Sequence, residues 1–171
     1  MENISLINAY NDRGALEIIN MMNNVSGISD VFRNREDRVL TSAYSMLIMK
    51  DEIIVGFINL VVEKEDYDFL FIDMGIKPEY RKQGIGKYVI NEIRKEMNEV
   101  NEEAYIIGQT KKNNKGGNGC IKNQACYIGD YEDTNLFLLQ EEKVKEFIDD
   151  GYYTKLMSHL EKDNKKKQLI K

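Results

Sequence analysis

Two features of this chain could do chemistry. One is Arg81-Lys82-Gln83-Gly84-Ile85-Gly86-Lys87, with three basic side chains and two glycines in seven residues. Glycine lets a backbone come close to a ligand, and the start of a helix leaves several N–H groups without an internal partner. The helix dipole favours an anion at that point by roughly 0.3–1 kcal/mol, and the basic side chains add to it. The chemistry implied is a phosphate or pyrophosphate cradle, although glycines at such a place could also serve only the turn. The other feature is Asp73, a carboxylate inside the apolar run FLFIDMGI from Phe69 to Ile76. A charge there is costly unless it is paired or functional, so the residue is either a proton acceptor or a surface-facing or salt-bridged aspartate.

The elements that position both features can be read locally. Phe69 to Ile76 is short, apolar and β-favouring, which predicts a buried strand. Lys77-Pro78 ends it, because proline has no N–H to give to a ladder. Ile85, Val89, Ile93 and Met97 then recur every four residues with Ile90 beside them, one face of an amphipathic helix. Alternation sends Asp73 to the face opposite Met74 and Ile76. Neither common nucleotide motif fits this strand–loop–helix unit. Lys87 is followed by Tyr88 rather than Ser or Thr, and Val89 stands where a third glycine would be needed. A nucleotide-phosphate enzyme would also need a Mg²⁺-binding carboxylate or hydroxyl beside the loop, and none is evident.

Composition narrows the classes further. The chain has 171 residues, 42% hydrophobic and 31% charged, as expected of one globular domain (1–162) with a charged, flexible tail (163–171). A net charge of −5 argues against an extended nucleic-acid surface, and no apolar run reaches a membrane span. Two cysteines, Cys120 and Cys126, and one histidine, His159, make neither a disulfide framework nor a zinc site. The cysteines read as small buried apolar residues and His159 as structural. The default expectation is a cytoplasmic domain that uses no metal.

Along the chain, Ile4–Ala9 reads as a strand and Asp12 as the cap of a helix with Ala15, Ile18, Ile19 and Met22 on its face. Asn23–Arg38 reads as a loop and short helix, where Arg33, Arg35, Glu36, Asp37 and Arg38 are a solvated face or a substrate contact. Ser42–Lys50 and Ile53–Glu63 form a hairpin, and Gly56 marks a bulge or close backbone approach. Ala104–Gln109 is a short strand, Thr110–Gly119 a polar loop, and Asn118–Ile128 a short helix ended by Gly129. Asn135–Leu139 is a last strand, and Glu141–Asp150 and Tyr152–Lys162 are added helices.

Arg81-x-x-Gly84-x-Gly86, preceded by Met74-x-Ile76-x-Pro78-x-Tyr80, resembles the acyl-CoA-binding motif of the GNAT N-acetyltransferase superfamily. The hairpin with I-V-G-F-I in its second strand resembles that family's central hairpin. The likeness covers roughly residues 1–140, tightly from Ser42 to Met97. It implies an α/β (α+β) fold with a mixed, mostly antiparallel sheet flanked by helices, in which two strands splay apart to admit pantetheine. It implies acetyl-CoA as co-substrate, with the backbone of Met74, Gly75 and Ile76 on the pantetheine arm. The loop Arg81, Lys82, Gln83, Gly84, Ile85, Gly86 and Lys87 would hold the pyrophosphate, and Asn118 would join the cofactor site. The acceptor would be a small-molecule or peptide amine, and the net acidic chain tilts the expectation towards a cationic one. A homodimer is left open.

The resemblance also implies roles in proton transfer. A lysine-like amine has a pKa near ~10.4, so stripping its proton at pH 7 costs about 4–5 kcal/mol. A carboxylate beside the thioester can take that proton, and Asp73 is the candidate, with Asp68 second. The family places a tyrosine four residues before a glycine-aromatic ending, where it reprotonates the leaving thiolate. Aligned on Gly129 that position is Ala125 and the nearest tyrosine is Tyr127; aligned on Asp150-Gly151-Tyr152 it is Phe147. The first alignment leaves Asn135–Leu139 as the strand that should follow. Because the tyrosine is displaced, a non-catalytic acyl-CoA-binding or regulatory module is the alternative to an enzyme.

Overall fold

The computed structural model describes residues 3–9, 11–25, 42–63, 66–100 and 103–169. The strands are β1 (Ile4–Asn8), β2 (Ser42–Lys50), β3 (Ile53–Glu63), β4 (Asp66–Ile76), β5 (Tyr105–Lys111), β6 (Cys126–Tyr131) and β7 (Thr134–Leu138). The helices are α1 (Asp12–Asn24), α2 (Ile85–Val100), α3 (Lys115–Ile121), α4 (Val144–Asp149) and α5 (Tyr152–Leu169). The strands form one seven-stranded sheet in the order β1-β2-β3-β4-β5-β7-β6. Every neighbouring pair is antiparallel except β4 and β5, which are parallel and joined through α2. This is the mixed, mostly antiparallel sheet expected from the sequence.

Alternation along the strands separates the two faces. On one, Ile58, Leu60 and Leu70 meet Ile85, Val89, Ile90, Ile93 and Met97 of α2 and Ile121 of α3. Each such buried side chain contributes about 1.5–3 kcal/mol, which is what fixes α2 against β4. On the other face, Phe57 and Leu47 pack under Ile18, Met21 and Met22 of α1. Val61, Phe69 and Phe71, further along the same face, pack under Phe147 of α4 and Leu156 of α5. His159 stacks on Phe71 with ring centroids 5.5 Å apart, so its role is to close this second cluster. Gly56 is a close approach: a Cβ there would lie 2.3 Å from the Gly75 carbonyl oxygen on β4.

Several local expectations change. Asn11, not Asp12, caps α1, its Oδ1 accepting from the Gly14 N–H at 2.7 Å. That helix runs to Asn24, and residues 26–41, with Arg33, Arg35, Glu36, Asp37 and Arg38, lie outside the described residues. The helix expected over Asn118–Ile128 is instead α3, starting three residues earlier because Asn114 caps it, its Oδ1 accepting from the Gly117 N–H at 2.9 Å. Residues 126–131 become β6, because β7 offers them a ladder that local propensity does not reveal. Gly129 sits at the bulge of that ladder with φ of 141° rather than at a helix end. Among the described residues no helix is long and apolar enough to cross a membrane.

Candidate active site

The parallel β4–β5 ladder is short. Phe69 pairs with Tyr105, Leu70 with Ile106 and Phe71 with Ile107, and there it stops. Beyond that point β4 continues to Ile76 along β3, from Ile72 opposite Leu60 to Ile76 opposite Gly56. Meanwhile β5 continues to Lys111 along β7. The two strands part, and each has its other side turned to the gap. Backbone N–H and C=O groups on those two margins are therefore available to a ligand, since a strand presents them alternately to its two sides. The residues 74–76, expected to hold an extended arm by their backbone, form one margin.

The glycine loop closes one end of this gap. Pro78–Tyr80 makes a single 3-10 turn, and then Lys82 (φ 62°) and Gly84 (φ 81°) both adopt the left-handed conformation. Alternating backbone handedness of this kind turns successive N–H groups inward around a small concavity, a natural anion seat. The first helical bond of α2 is from the Tyr88 N–H to the Gly84 oxygen at 3.1 Å. The amides of Ile85, Gly86 and Lys87 therefore precede any intrahelical acceptor. Side chains hold the loop from outside. Arg81 Nε donates to the Ile76 carbonyl at 2.8 Å, and Gln83 Oε1 accepts from Lys50 Nζ at 2.7 Å. Lys82 and Lys87 are exposed. These residues, predicted from sequence as one group, are together in the structure.

Helix α3 lines the same gap. Ile121 lies on Gly108 of β5, where a Cβ would be 2.2 Å from its Cδ1. Cys120 Sγ lies against Gly86, 2.6 Å from where a Cβ would be, with Met74 and Ile76 beside it at 3.4 Å. Burial raises the Cys120 thiol pKa, and the charge of Lys87 offsets part of that rise. Sequence reasoning read Cys120 as a small apolar filler; it packs on the core cluster as such, yet it also borders the cradle.

Asp73 lies two residues past the last β4–β5 pair, on the face away from α2, and is 5% exposed. A buried carboxylate at the mouth of the gap is what proton abstraction there requires. Asp68, the second candidate, is ion-paired with Lys155 of α5, on the far side of the paired segment. Tyr127 is not brought to the gap. It stands on the edge strand β6, 56% exposed, its ring edge-on to Phe137, and β7 separates β6 from β5.

Asn118 is fully engaged within the protein. Its Nδ2 donates to the carbonyls of Lys111 (2.9 Å) and Asn114 (2.8 Å). Its Oδ1 accepts from Thr110 Oγ1 and from Asn135 Nδ2. A carboxamide has two donors and two acceptor sites, so Asn118 as placed ties β5, α3 and β7 together with none to spare for a ligand. Two polar residues that sequence reasoning missed are buried in the same register row: Asn59 opposite Asp73, and Ser45 opposite Asn59. Asn59 carries the same signal that picked out Asp73, a polar residue alone in an apolar strand. Among the described residues no cluster of His, Cys, Asp or Glu is arranged to hold a metal ion.

Comparison with known proteins agrees with this geometry. The profile of the acetyltransferase (GNAT) family matches residues 17–123. No match was found among curated protein sequences. Among solved structures, the Campylobacter jejuni N-acetyltransferase PseH is similar at 19% identity and TM-score 0.56, over 81% of this chain and 99% of that one. Arabidopsis thaliana Naa50, solved with the bisubstrate analogue CoA-Ac-MVNAL, matches at 19% identity and TM-score 0.57, over 80% and 97% of the chains. A Salmonella typhimurium acetyl transferase, described as modifying the N-terminal serine of ribosomal protein L7/L12, matches at 13% identity and TM-score 0.58, over 81% and 95%.

Proposed function

Because this chain belongs to the acetyltransferase (GNAT) family, we propose that it transfers an acetyl group from acetyl-CoA to a primary amine by direct attack, acting in the cytoplasm on a small-molecule or peptide acceptor. The observation that carries this reading is the parting of β4 from β5 beside an amide-lined loop. The fit is specific at Gly84, whose left-handed backbone favours glycine, and at Gly86, which leaves no room for a Cβ. In this reading the amides and cations of the 81–87 loop hold the pyrophosphate, and the β4 margin from Met74 to Ile76 holds the pantetheine amides. Acetyl-CoA supplies an activated thioester. The margin's N–H groups can stabilise charge on the carbonyl oxygen as the amine attacks.

Asp73 takes the proton that the amine must lose, directly or through a water. The new N–C bond forms, the C–S bond breaks and CoA leaves as its thiolate. A thiol pKa near ~8.5 makes that departure tolerable without a protein acid, so the edge position of Tyr127 does not remove the reaction. The rival, a module that binds acyl-CoA without turnover, draws on that same edge position. Release of CoA thiol in the presence of a panel of amines separates the two. Wild-type turnover is expected, with kcat lowered ~100-fold or more in Asp73→Asn and KM for acetyl-CoA little changed. Acetyl-CoA binding with no turnover on any amine would favour the module, and full activity in Asp73→Asn would remove that residue from the mechanism.

A further inference from the structure

Buried polar side chains are nearly always hydrogen-bonded, and each exception asks for a reason. Asn59 has no exposed surface, and neither its Oδ1 nor its Nδ2 has a partner. Ser45, 6% exposed, has an unpartnered Oγ. By contrast Gln140, equally buried, accepts from the Ile106 N–H at 2.9 Å and donates to the Ala104 carbonyl at 2.7 Å. Where this protein uses a buried amide for structure, it satisfies it.

The two exceptions are neighbours. In the sheet register Ser45 stands opposite Asn59, and Asn59 opposite Asp73. All three lie on the face away from α2, so they form one polar rank across β2, β3 and β4. The ranks on either side are apolar. Leu47 and Phe57 lie under α1, while Val61 and Phe71 lie under α5. The polar rank therefore runs along the seam between the two helix-covered clusters and begins, at Asp73, where β4 leaves β5. Asn59 is one strand spacing further in, about 4.8 Å.

A carboxamide presents a donor and an acceptor side by side. A plain alkylamine bound at Asp73 offers Asn59 donors or, once deprotonated, one lone pair that the reaction needs. It cannot satisfy Nδ2 as well. An amine with an oxygen on the carbon next to the amine-bearing carbon can, its N–H going to Oδ1 and its oxygen accepting from Nδ2. We propose that Asn59 determines acceptor specificity, and that the acceptor is a primary amine with a carbonyl or hydroxyl oxygen on the adjacent carbon. The proposal rests on the acetyl-transfer reading above and adds to it the class of acceptor.

The test compares glycinamide, 2-aminoethanol and n-propylamine as acceptors, at equal concentrations of neutral amine, with acetyl-CoA titrated calorimetrically beside them. At least one oxygen-bearing amine is expected to exceed n-propylamine about tenfold or more in kcat/KM, because a site built for a hydrogen bond rejects the analogue that lacks it. Asn59→Leu is expected to bring that ratio to within about twofold of unity. Should that variant not fold, the near-isosteric Asn59→Asp, which loses the donor, is expected to lose the preference as well. Whichever of glycinamide and 2-aminoethanol wins identifies the carbonyl or the hydroxyl as the partner. Equal use of all three amines by the wild type, or a preference that survives loss of the Asn59 donor, would overturn the proposal and leave acetyl transfer standing. A wild type that does not bind acetyl-CoA would overturn both.

Discussion

The chain has two glycine- and lysine-rich loops that each run into a helix, and they are built in opposite ways. Residues 112–119 (KNNKGGNG) hold more glycine than residues 81–87 (RKQGIGK), and by composition they are the better anion site. In the structure they are closed. Asn114 Oδ1 takes the Gly117 N–H, Asn118 is engaged at every hydrogen-bonding position, and Lys111 and Lys112 pair with Asp133 and Asp130 of the β6–β7 hairpin. In the 81–87 loop the side chains do the anchoring, Arg81 to the Ile76 carbonyl and Gln83 to Lys50, while two left-handed residues turn the backbone amides towards a shared concavity. An anion site is made by backbone amides with no other partner, and glycine content alone does not reveal them.

That contrast can be broken most directly at the glycines. Gly84→Glu is expected to weaken CoA binding by roughly 100-fold, since it combines a strained left-handed side chain with a negative charge at the helix start. Gly116→Glu, where the space is open apart from Asn114 Oδ1 at 3.8 Å, is expected to leave CoA affinity within about twofold. Calorimetric titration of both variants reads this, and equal losses would abolish the distinction. Asn118→Ala sharpens the comparison from the closed side. Removing a fully bonded amide is expected to lower stability by about 2 kcal/mol, visible as a lower Tm, with CoA affinity of the folded protein retained. A loss of affinity without a loss of stability would instead return Asn118 to the cofactor site.

The smallest effect concerns pH. The hydrogen bond from Lys112, with its charge, holds the Asp130 carboxyl below the usual carboxylate range, and Lys111 does the same for Asp133. A carboxyl with a lowered folded-state pKa adds stability above its unfolded pKa, near ~3.9, and loses it as pH falls through the folded value. Both partners are about half exposed, so the contribution is small and screened by salt. Denaturation of Asp130→Asn against wild type is expected to differ slightly at pH 7 and to converge at the acid end. A difference that grew in acid would contradict the assignment.

Much of this was legible because it is local. Phe69–Ile76, Pro78 and the four-residue recurrence from Ile85 to Met97 each announce their element within a few residues, and the loop between them emerged where expected. The hairpin of β2 and β3 was readable for the same reason. The region after Gly108 was not. Gly129 looks like a helix end and is a strand bulge, and Asn118, expected to begin the helix, sits four residues after the true cap, Asn114. A short polar stretch with several asparagines and glycines offers more than one cap, and only packing chooses among them.

By itself the sequence determined the strand–loop–helix unit and the presence of a carboxylate, Asp73, in an apolar strand. Periodicity and backbone sterics act between near neighbours, so they are written in the order of residues. Only the tertiary structure decided that β4 and β5 part after Phe71 and Ile107, that Ser45, Asn59 and Asp73 fall in one rank, and that Tyr127 stands on an outer edge. Those depend on register between segments far apart in the chain, which is set by how whole faces pack.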